Sequence, residues 1–267
     1  MKPDIYQSLR TAIAEETPLS LATVIAAIGL EIIQPGVKMI IFSDAKTQGS
    51  LGDDKLDEKV IKDALELLSG EKSRTLSYDL EPNIKIDVYI ESIFPPSPFV
   101  IIGADPDAVP IVNLAKQQGF KVVLVDHRES FANPEKYPDA DEFIVCEPSE
   151  MPGNINLDEK TFVLVKTHNY LRDKEILKFV LKSKARYVGQ LGPKARVEDL
   201  LKDLAKEEVN FNEEDLQKLF APVGLDIGAE SPEQIALSIL SEMLALKHGR
   251  EGRFLKDQTL AIHPRDM

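Results

Sequence analysis

Cysteine occurs once in 267 residues, at Cys146. A single thiol cannot close an internal disulfide or build a multi-cysteine zinc or iron–sulfur site, and it suits a reducing compartment. Basic residues are outnumbered, 32 against 45 acidic ones, which leaves a formal net charge of -13. A chain of that sign lacks the positive field that holds a phosphate backbone, so a general nucleic-acid binder is excluded. Long apolar runs are missing too; Leu21 to Ile28 falls well short of the ~20 residues of a membrane helix. Met1 to Thr17 carries Lys2, Asp4, Arg10, Glu15 and Glu16, which leaves no apolar core for a secretion signal. There is no G-x-S-x-G elbow and no H-E-x-x-H pair, so the usual esterase and zinc-protease readings fall away. Repeats and low-complexity tracts are absent as well. The expectation is a cytoplasmic globular protein whose 43% hydrophobic residues can bury the core of one large domain or two modest ones.

The pattern divides at Phe94-Pro95-Pro96-Ser97-Pro98, where closely spaced prolines can continue neither a helix nor a central strand. Before it, residues 2–15 read as a helix, and 20–28 and 38–43 as strands around a Pro35-Gly36 turn. Residues 53–68 have helical spacing through Leu56, Val60, Ile61, Ala64 and Leu67, and 75–80 and 84–93 read as strands. This is a small α+β domain, residues 1–94. After the prolines the rhythm becomes strand, helix, strand, helix, the signature of a mainly parallel sheet. Strands are predicted at 99–102, 121–125, 143–146, 162–165 and 187–188, with helices at 107–118, 171–181, 195–205, 213–220 and 232–247. The last helix opens on Ser231-Pro232-Glu233-Gln234, a capping box with proline at the first helical position. The fold class is therefore α/β: a C-terminal Rossmann-like parallel-sheet domain, residues 98–248, beside a smaller N-terminal α+β domain, with a tail at 249–267.

Phe99 to Ile102 runs into Gly103-Ala104-Asp105-Pro106-Asp107-Ala108 and then a helix, the context of a dinucleotide-binding turn. Gly103 survives from the glycine pattern and Ala108 is an allowed small residue. The second glycine slot is Asp105, whose carboxylate would crowd and repel a phosphate. Asp126 ends the next strand about 20 positions on, where such domains place the acid for a ribose hydroxyl. Asp is equally a common turn residue, so an NAD(P) site and a structural Rossmann unit with a degenerate loop both stand. His168 lies just past a strand end, where ligand-contacting loops gather; the alternative is a histidine that bonds loop backbone, and His127 beside Asp126 has the same two readings. His248 and His263 are assigned to solvated or capping roles. Gly189-Gln190-Leu191-Gly192-Pro193-Lys194-Ala195-Arg196 leads from strand to helix. Two glycines, free N–H groups and two cations there form either an anion site or an ordinary turn with surface cations. Cys146 reads as a small buried hydrophobe rather than a nucleophile.

Several of these segments together resemble the XdhC/CoxI family of xanthine dehydrogenase accessory proteins. In the first half the likeness lies in Leu21-Ala22-Thr23-Val24, Pro35-Gly36-Val37-Lys38-Met39 and Gly49-Ser50-Leu51-Gly52. The second half adds Val125-Asp126-His127-Arg128, Phe131-Ala132-Asn133-Pro134, Pro138-Asp139-Ala140-Asp141, Thr167-His168 and Tyr187-Val188-Gly189. The run from Ala221 to Pro232, with Gly224, Asp226 and Gly228, is the most distinctive. The resemblance implies a homodimer that binds molybdenum cofactor (molybdopterin), assists its sulfuration by a cysteine desulfurase, and delivers it to a molybdenum hydroxylase client. It implies a non-catalytic maturation factor with neither a nucleic-acid nor a membrane partner. The candidate cofactor contacts are Gly103, Asp126, His127, Arg128, Thr167, His168, Gly189, Gly192, Lys194, Arg196 and Asp226. Two departures fall at candidate contacts: Asp53-Asp54-Lys55 stands where many members carry glycines and a cysteine, and Asp105 interrupts the glycine-rich turn. Two other readings follow, a divergent member acting through protein partners and a Rossmann oxidoreductase using NAD(P).

Overall fold

The computed structural model describes residues 4–15, 17–29 and 33–257, and the chain divides into two compact units, Met1–Pro96 and Ser97–Met267. The first contains α1 (Ile5–Ala14), β1 (Leu19–Ile28), β2 (Lys38–Phe42), β3 (Thr47–Gly49), α2 (Asp54–Ser69), β4 (Arg74–Glu81) and β5 (Ile84–Ile93). The strands form one antiparallel sheet in the order β3-β2-β1-β5-β4. Alternation along the strands sorts the faces. Ala22, Val24, Met39 and Ile41 meet Leu56, Val60 and Ala64 of α2, while Leu19 and Ile40 pack with Ala12 of α1. Asp53 caps α2 by accepting from the Leu56 N–H at 2.9 Å. The Asp53-Asp54-Lys55 segment thus opens a helix, with Lys55 exposed.

The second unit runs β6 (Pro98–Ile102), α3 (Val109–Gln117), β7 (Lys121–Asp126), β8 (Glu142–Val145), α4 (Met151–Asn154), β9 (Phe162–Val165), α5 (Tyr170–Val180), β10 (Tyr187–Gln190), α6 (Lys194–Lys206), α7 (Glu213–Gln217), β11 (Leu219–Phe220) and α8 (Pro232–Lys247). Its six strands are all parallel, in the order β11-β10-β9-β6-β7-β8. Renumbered from β6, this is the 3-2-1-4-5-6 order of dinucleotide-binding domains. Strands buried on both faces read as unbroken apolar runs, and alternate residues serve opposite cores. Phe99 and Ile101 face α3 and α8; Val100 and Ile102 face α4, α5 and α6. A row of rings, Phe99, Phe120, Phe162, Tyr187 and Phe220, crosses the first face with successive centroids 5.9, 5.5, 5.7 and 4.7 Å apart. The parallel sheet matters for function because it brings the carboxyl ends of its strands to one edge.

Three local expectations need correction. The helix predicted over 213–220 stops at Gln217, because Leu219 and Phe220 pair in parallel with Val188 and Gly189 and Phe220 stacks on Tyr187. The helix predicted from Asp107 starts as a 3-10 turn at Pro106–Ala108 and becomes α-helical at Val109. Cys146 falls one residue past β8. Of the tail, residues up to 257 are described; His263 lies outside the described residues. No helix among them is long and apolar enough to cross a membrane.

Candidate functional site

Between β6 and β9 the chain reverses its direction of growth across the sheet, and their carboxyl ends open the crevice where such sheets take ligands. Gly103 makes that crossing possible. Its φ is +113°, and a Cβ there would lie 2.5 Å from the carbonyl oxygen of Lys166. Glycine is needed for this close passage of two backbones rather than for phosphate.

The turn after Gly103 is held by side chains. Tyr137 donates to the carbonyls of Ala104 and Asp105, both at 2.8 Å. Asp126, almost fully buried, accepts from the Ala104 N–H at 2.8 Å and from the N–H, Nε and Nη2 of Arg128, each at 2.9 Å. His127 Nδ1 stands 3.0 Å from the same carboxylate. Burial pushes the Asp126 carboxyl up, but the hydrogen bonds from Arg128 and Ala104 outweigh it and bring the pKa to about 2. Arg128 also reaches Asp105 at 3.1 Å and lies over the Phe131 ring. The acid at the end of β7 therefore organises its own loop with every donor in reach.

At the helix start beyond, Pro106 and Pro110 remove two N–H donors and Asp107 brings a carboxylate to the first turn. Lys166, with a fully buried side chain, meets Asp107 Oδ1 at 2.7 Å; His168 Nε2 is 3.1 Å from Oδ2. Burial raises the Asp107 pKa, while Lys166 and His168 more than reverse that effect. His168 is exposed and has a left-handed φ of 56°. It belongs to this ion cluster.

On the other face a cavity of about 80 Å³ opens at the ends of β6 and β7. Gly103, Asp126, His127, Arg128 and Thr167 line it, so five of the sequence-derived residues share one pocket. Arg172, in the first turn of α5, lines it too. Its guanidinium makes no ion pair or hydrogen bond among the described residues, whereas Arg128 and Arg196 are both locked to buried carboxylates. Arg172 and the Asp107–Lys166 pair escaped sequence reasoning; the nearest signal was their place just past strand ends and at helix starts.

The remaining candidates lie elsewhere on this edge. Asp173 is buried and accepts from Thr167 Oγ1 at 2.5 Å, Arg196 Nη2 at 2.9 Å and Gln190 Nε2 at 3.2 Å, which ties the β10–α6 turn to Thr167. Lys194 begins α6 and is exposed, and Gly192 packs against the Arg196 side chain. A Cβ on Gly189 would strike Val223 at 2.6 Å, so that glycine serves packing of the 222–230 loop. Asp226 is exposed on that loop.

A doubly wound domain with a small cationic pocket at its ligand edge defines the general class. The match to known families is more specific: a family model described as the XdhC Rossmann domain covers residues 99–243, and one described as the XdhC and CoxI family covers residues 12–79. The chain belongs to the XdhC/CoxI family. It is similar to a Bacillus subtilis protein whose name describes it as a probable xanthine dehydrogenase subunit, 32% identical over 158 residues, which are 59% of this chain and 45% of that protein. It is also similar to YqeB of Escherichia coli, 27% identical over 252 residues, 89% of this chain and 45% of that protein. The chain thus spans under half the length of these two curated relatives. A crystal structure of a xanthine dehydrogenase from Bacillus halodurans aligns with a TM-score of 0.55 at 24% identity, covering 95% of this chain and 97% of that one. That likeness bears on fold.

Proposed function

We propose that this chain is a cytoplasmic maturation factor for a molybdenum hydroxylase, which binds molybdenum cofactor at the carboxyl edge of the parallel sheet, assists its sulfuration and passes it to the client. The observation that carries the reading is family membership matched in both halves of the chain. The name of the Bacillus subtilis relative, which refers to xanthine dehydrogenase, points to the same client class. A cysteine desulfurase and the hydroxylase are the proposed partners, and a homodimer the proposed state.

The donor set can be tested against the cofactor's chemistry. Among the described residues no group of three or more His, Cys, Asp or Glu side chains is arranged to hold a metal ion. Cys146 is buried, and burial together with Glu150 and Glu147 pushes its thiol pKa up, away from the thiolate a soft metal needs. The fit is to the anionic end: Arg172 and His127 border one small pocket and suit a phosphate. When bound, the cofactor supplies a metal centre carried on its own sulfurs. Arg172 would bind and orient the phosphate, Asp126 would keep Arg128 and the Ala104 turn fixed around it, and the apolar walls Ile102, Val125 and Met151 would exclude water. NAD(P) is supported less. The strand order favours it, yet Asp126 is already saturated and the start of α3 presents Asp105 and Asp107 where a pyrophosphate would lie.

The test is anaerobic equilibrium binding followed by transfer. The purified chain should retain molybdenum cofactor at micromolar affinity and activate a cofactor-free hydroxylase. A chain that neither retains cofactor nor captures hydroxylase or desulfurase sinks the reading.

A further inference from the structure

Two places on the carboxyl edge are suited by position to an anion, and the sequence treats them in opposite ways. At the start of α3 an anion is already built in. Asp107 occupies the first turn and takes both Lys166 and His168, while two prolines thin the N–H donors and Asp105 adds a second carboxylate. At the start of α5 the first-turn carboxylate, Asp173, is committed to Thr167, Gln190 and Arg196 and does not pair with Arg172. Arg172 is half-buried and faces the 80 Å³ cavity without a side-chain partner among the described residues. The negative group in that cavity, Asp126, is spent on Ala104, Arg128 and His127. Glu147 and Glu150, close to Cys146, cap their own turn by bonding each other's backbone. A half-desolvated guanidinium without a partner loses hydration and gains nothing in return, unless an anion completes it.

Size narrows the anion further. A water needs roughly 10–15 Å³ of such space, so the cavity of about 80 Å³ has room for one phosphoryl group. We infer that the cavity seats the terminal phosphoryl group of a phosphomonoester, gripped by Arg172, and that the Asp105–Asp107 turn excludes pyrophosphate-bridged dinucleotides. This rests on the reading of the edge as the ligand site, and it names the form of ligand that the edge accepts. A second phosphoryl group reaching toward α3 would meet two carboxylates whose cations are committed.

Cys146, the single cysteine, lines the same cavity and reports on it. The experiment follows iodoacetamide alkylation of the whole chain by intact mass, at constant ionic strength. Inorganic phosphate, glycerol 3-phosphate and NAD are the probes, and chloride is the control. Phosphate and glycerol 3-phosphate should both slow alkylation saturably, at concentrations roughly tenfold or more below those NAD requires. Arg172→Gln should weaken that protection by about tenfold, and Arg172→Lys should keep part of it, since lysine retains the charge without the planar fork. His127→Asn is the second variant, expected to weaken protection less. No saturable protection, or equal protection in Arg172→Gln, overturns the seat. Protection by phosphate without glycerol 3-phosphate overturns the ester, and NAD acting as well as the monoester overturns the exclusion. Phosphate protection unchanged in Arg172→Gln, in a chain that still retains molybdenum cofactor and activates hydroxylase, would defeat this inference and leave the maturation role standing. Phosphate protection that depends on Arg172, in a chain that neither retains molybdenum cofactor nor captures hydroxylase or desulfurase, would defeat the role and leave the phosphoryl seat.

Discussion

Asp126 shows how one residue can satisfy a motif in position and depart from it in use. It stands where a ribose-binding acid belongs, but its oxygens are turned inward onto Ala104 and Arg128. Its folded pKa of about 2 lies below the ordinary value of 3.8, so the carboxyl binds protons more readily when unfolded. The stabilisation is therefore complete above about pH 4 and disappears as pH falls toward 2, amounting to about 1–2 kcal/mol after allowance for solvent screening. Urea denaturation should show wild type ahead of Asp126→Asn at pH 6, with the gap shrinking toward pH 2.5; a gap independent of pH would contradict this account. The Asp107–Lys166 pair gives a second test. Asp107→Asn strands the ammonium of a side chain with no exposed surface, which should cost about 2–4 kcal/mol. Adding Lys166→Met should recover much of that loss, and a double variant as unstable as the sum of the singles would show that the two do not act as a pair.

At the scale of elements, helix ends depend on a few hydrogen bonds whose residues can be read in order along the chain. Ser231 accepts from the Gln234 N–H, and Gln234 returns the favour by accepting from the Ser231 N–H, both at 3.3 Å. Ser231→Ala should lower stability by about 1 kcal/mol, with Ser231→Asp close to wild type in thermal melts. Such features were legible because they are local, as were the apolar strands of the parallel sheet, whose runs of four or five residues need no partner to be recognised. β11 was not legible. Two residues carry no period, and they become a strand because Tyr187 and Val188 lie beside them in space. The same limit applies to the site. Gly103, Asp126, His127, Arg128 and Thr167 could be picked out as strand-end residues, and they share a cavity. The role of Asp107 depends on Lys166, 59 positions away, and the significance of Arg172 lies in a guanidinium without a partner among the described residues, which is a property of its surroundings.

For the molecule as a whole, the question is whether function and stability reside in one unit or both. Each unit has its own buried cluster: Val24, Ile41, Val60 and Val88 belong to the first, and the two faces of the parallel sheet to the second. The residues proposed to grip a phosphate all lie after Ser97, and their support (Asp126, Tyr137, Asp173) does too. A chain segment with a complete core folds as a unit, and the length of this one falls in the usual range for a domain. A fragment of residues 97–267 should therefore unfold cooperatively and show the same phosphate protection of Cys146 as the full chain. Leu56→Ala in the full chain should remove about 2–5 kcal/mol from the first unit, because it empties a fully buried site against the antiparallel sheet. If the phosphate seat belongs to the second unit alone, that loss leaves protection of Cys146 unchanged. Protection that falls in step with the Leu56→Ala destabilisation, or a 97–267 fragment without a cooperative transition, would show that the second unit cannot maintain the site by itself.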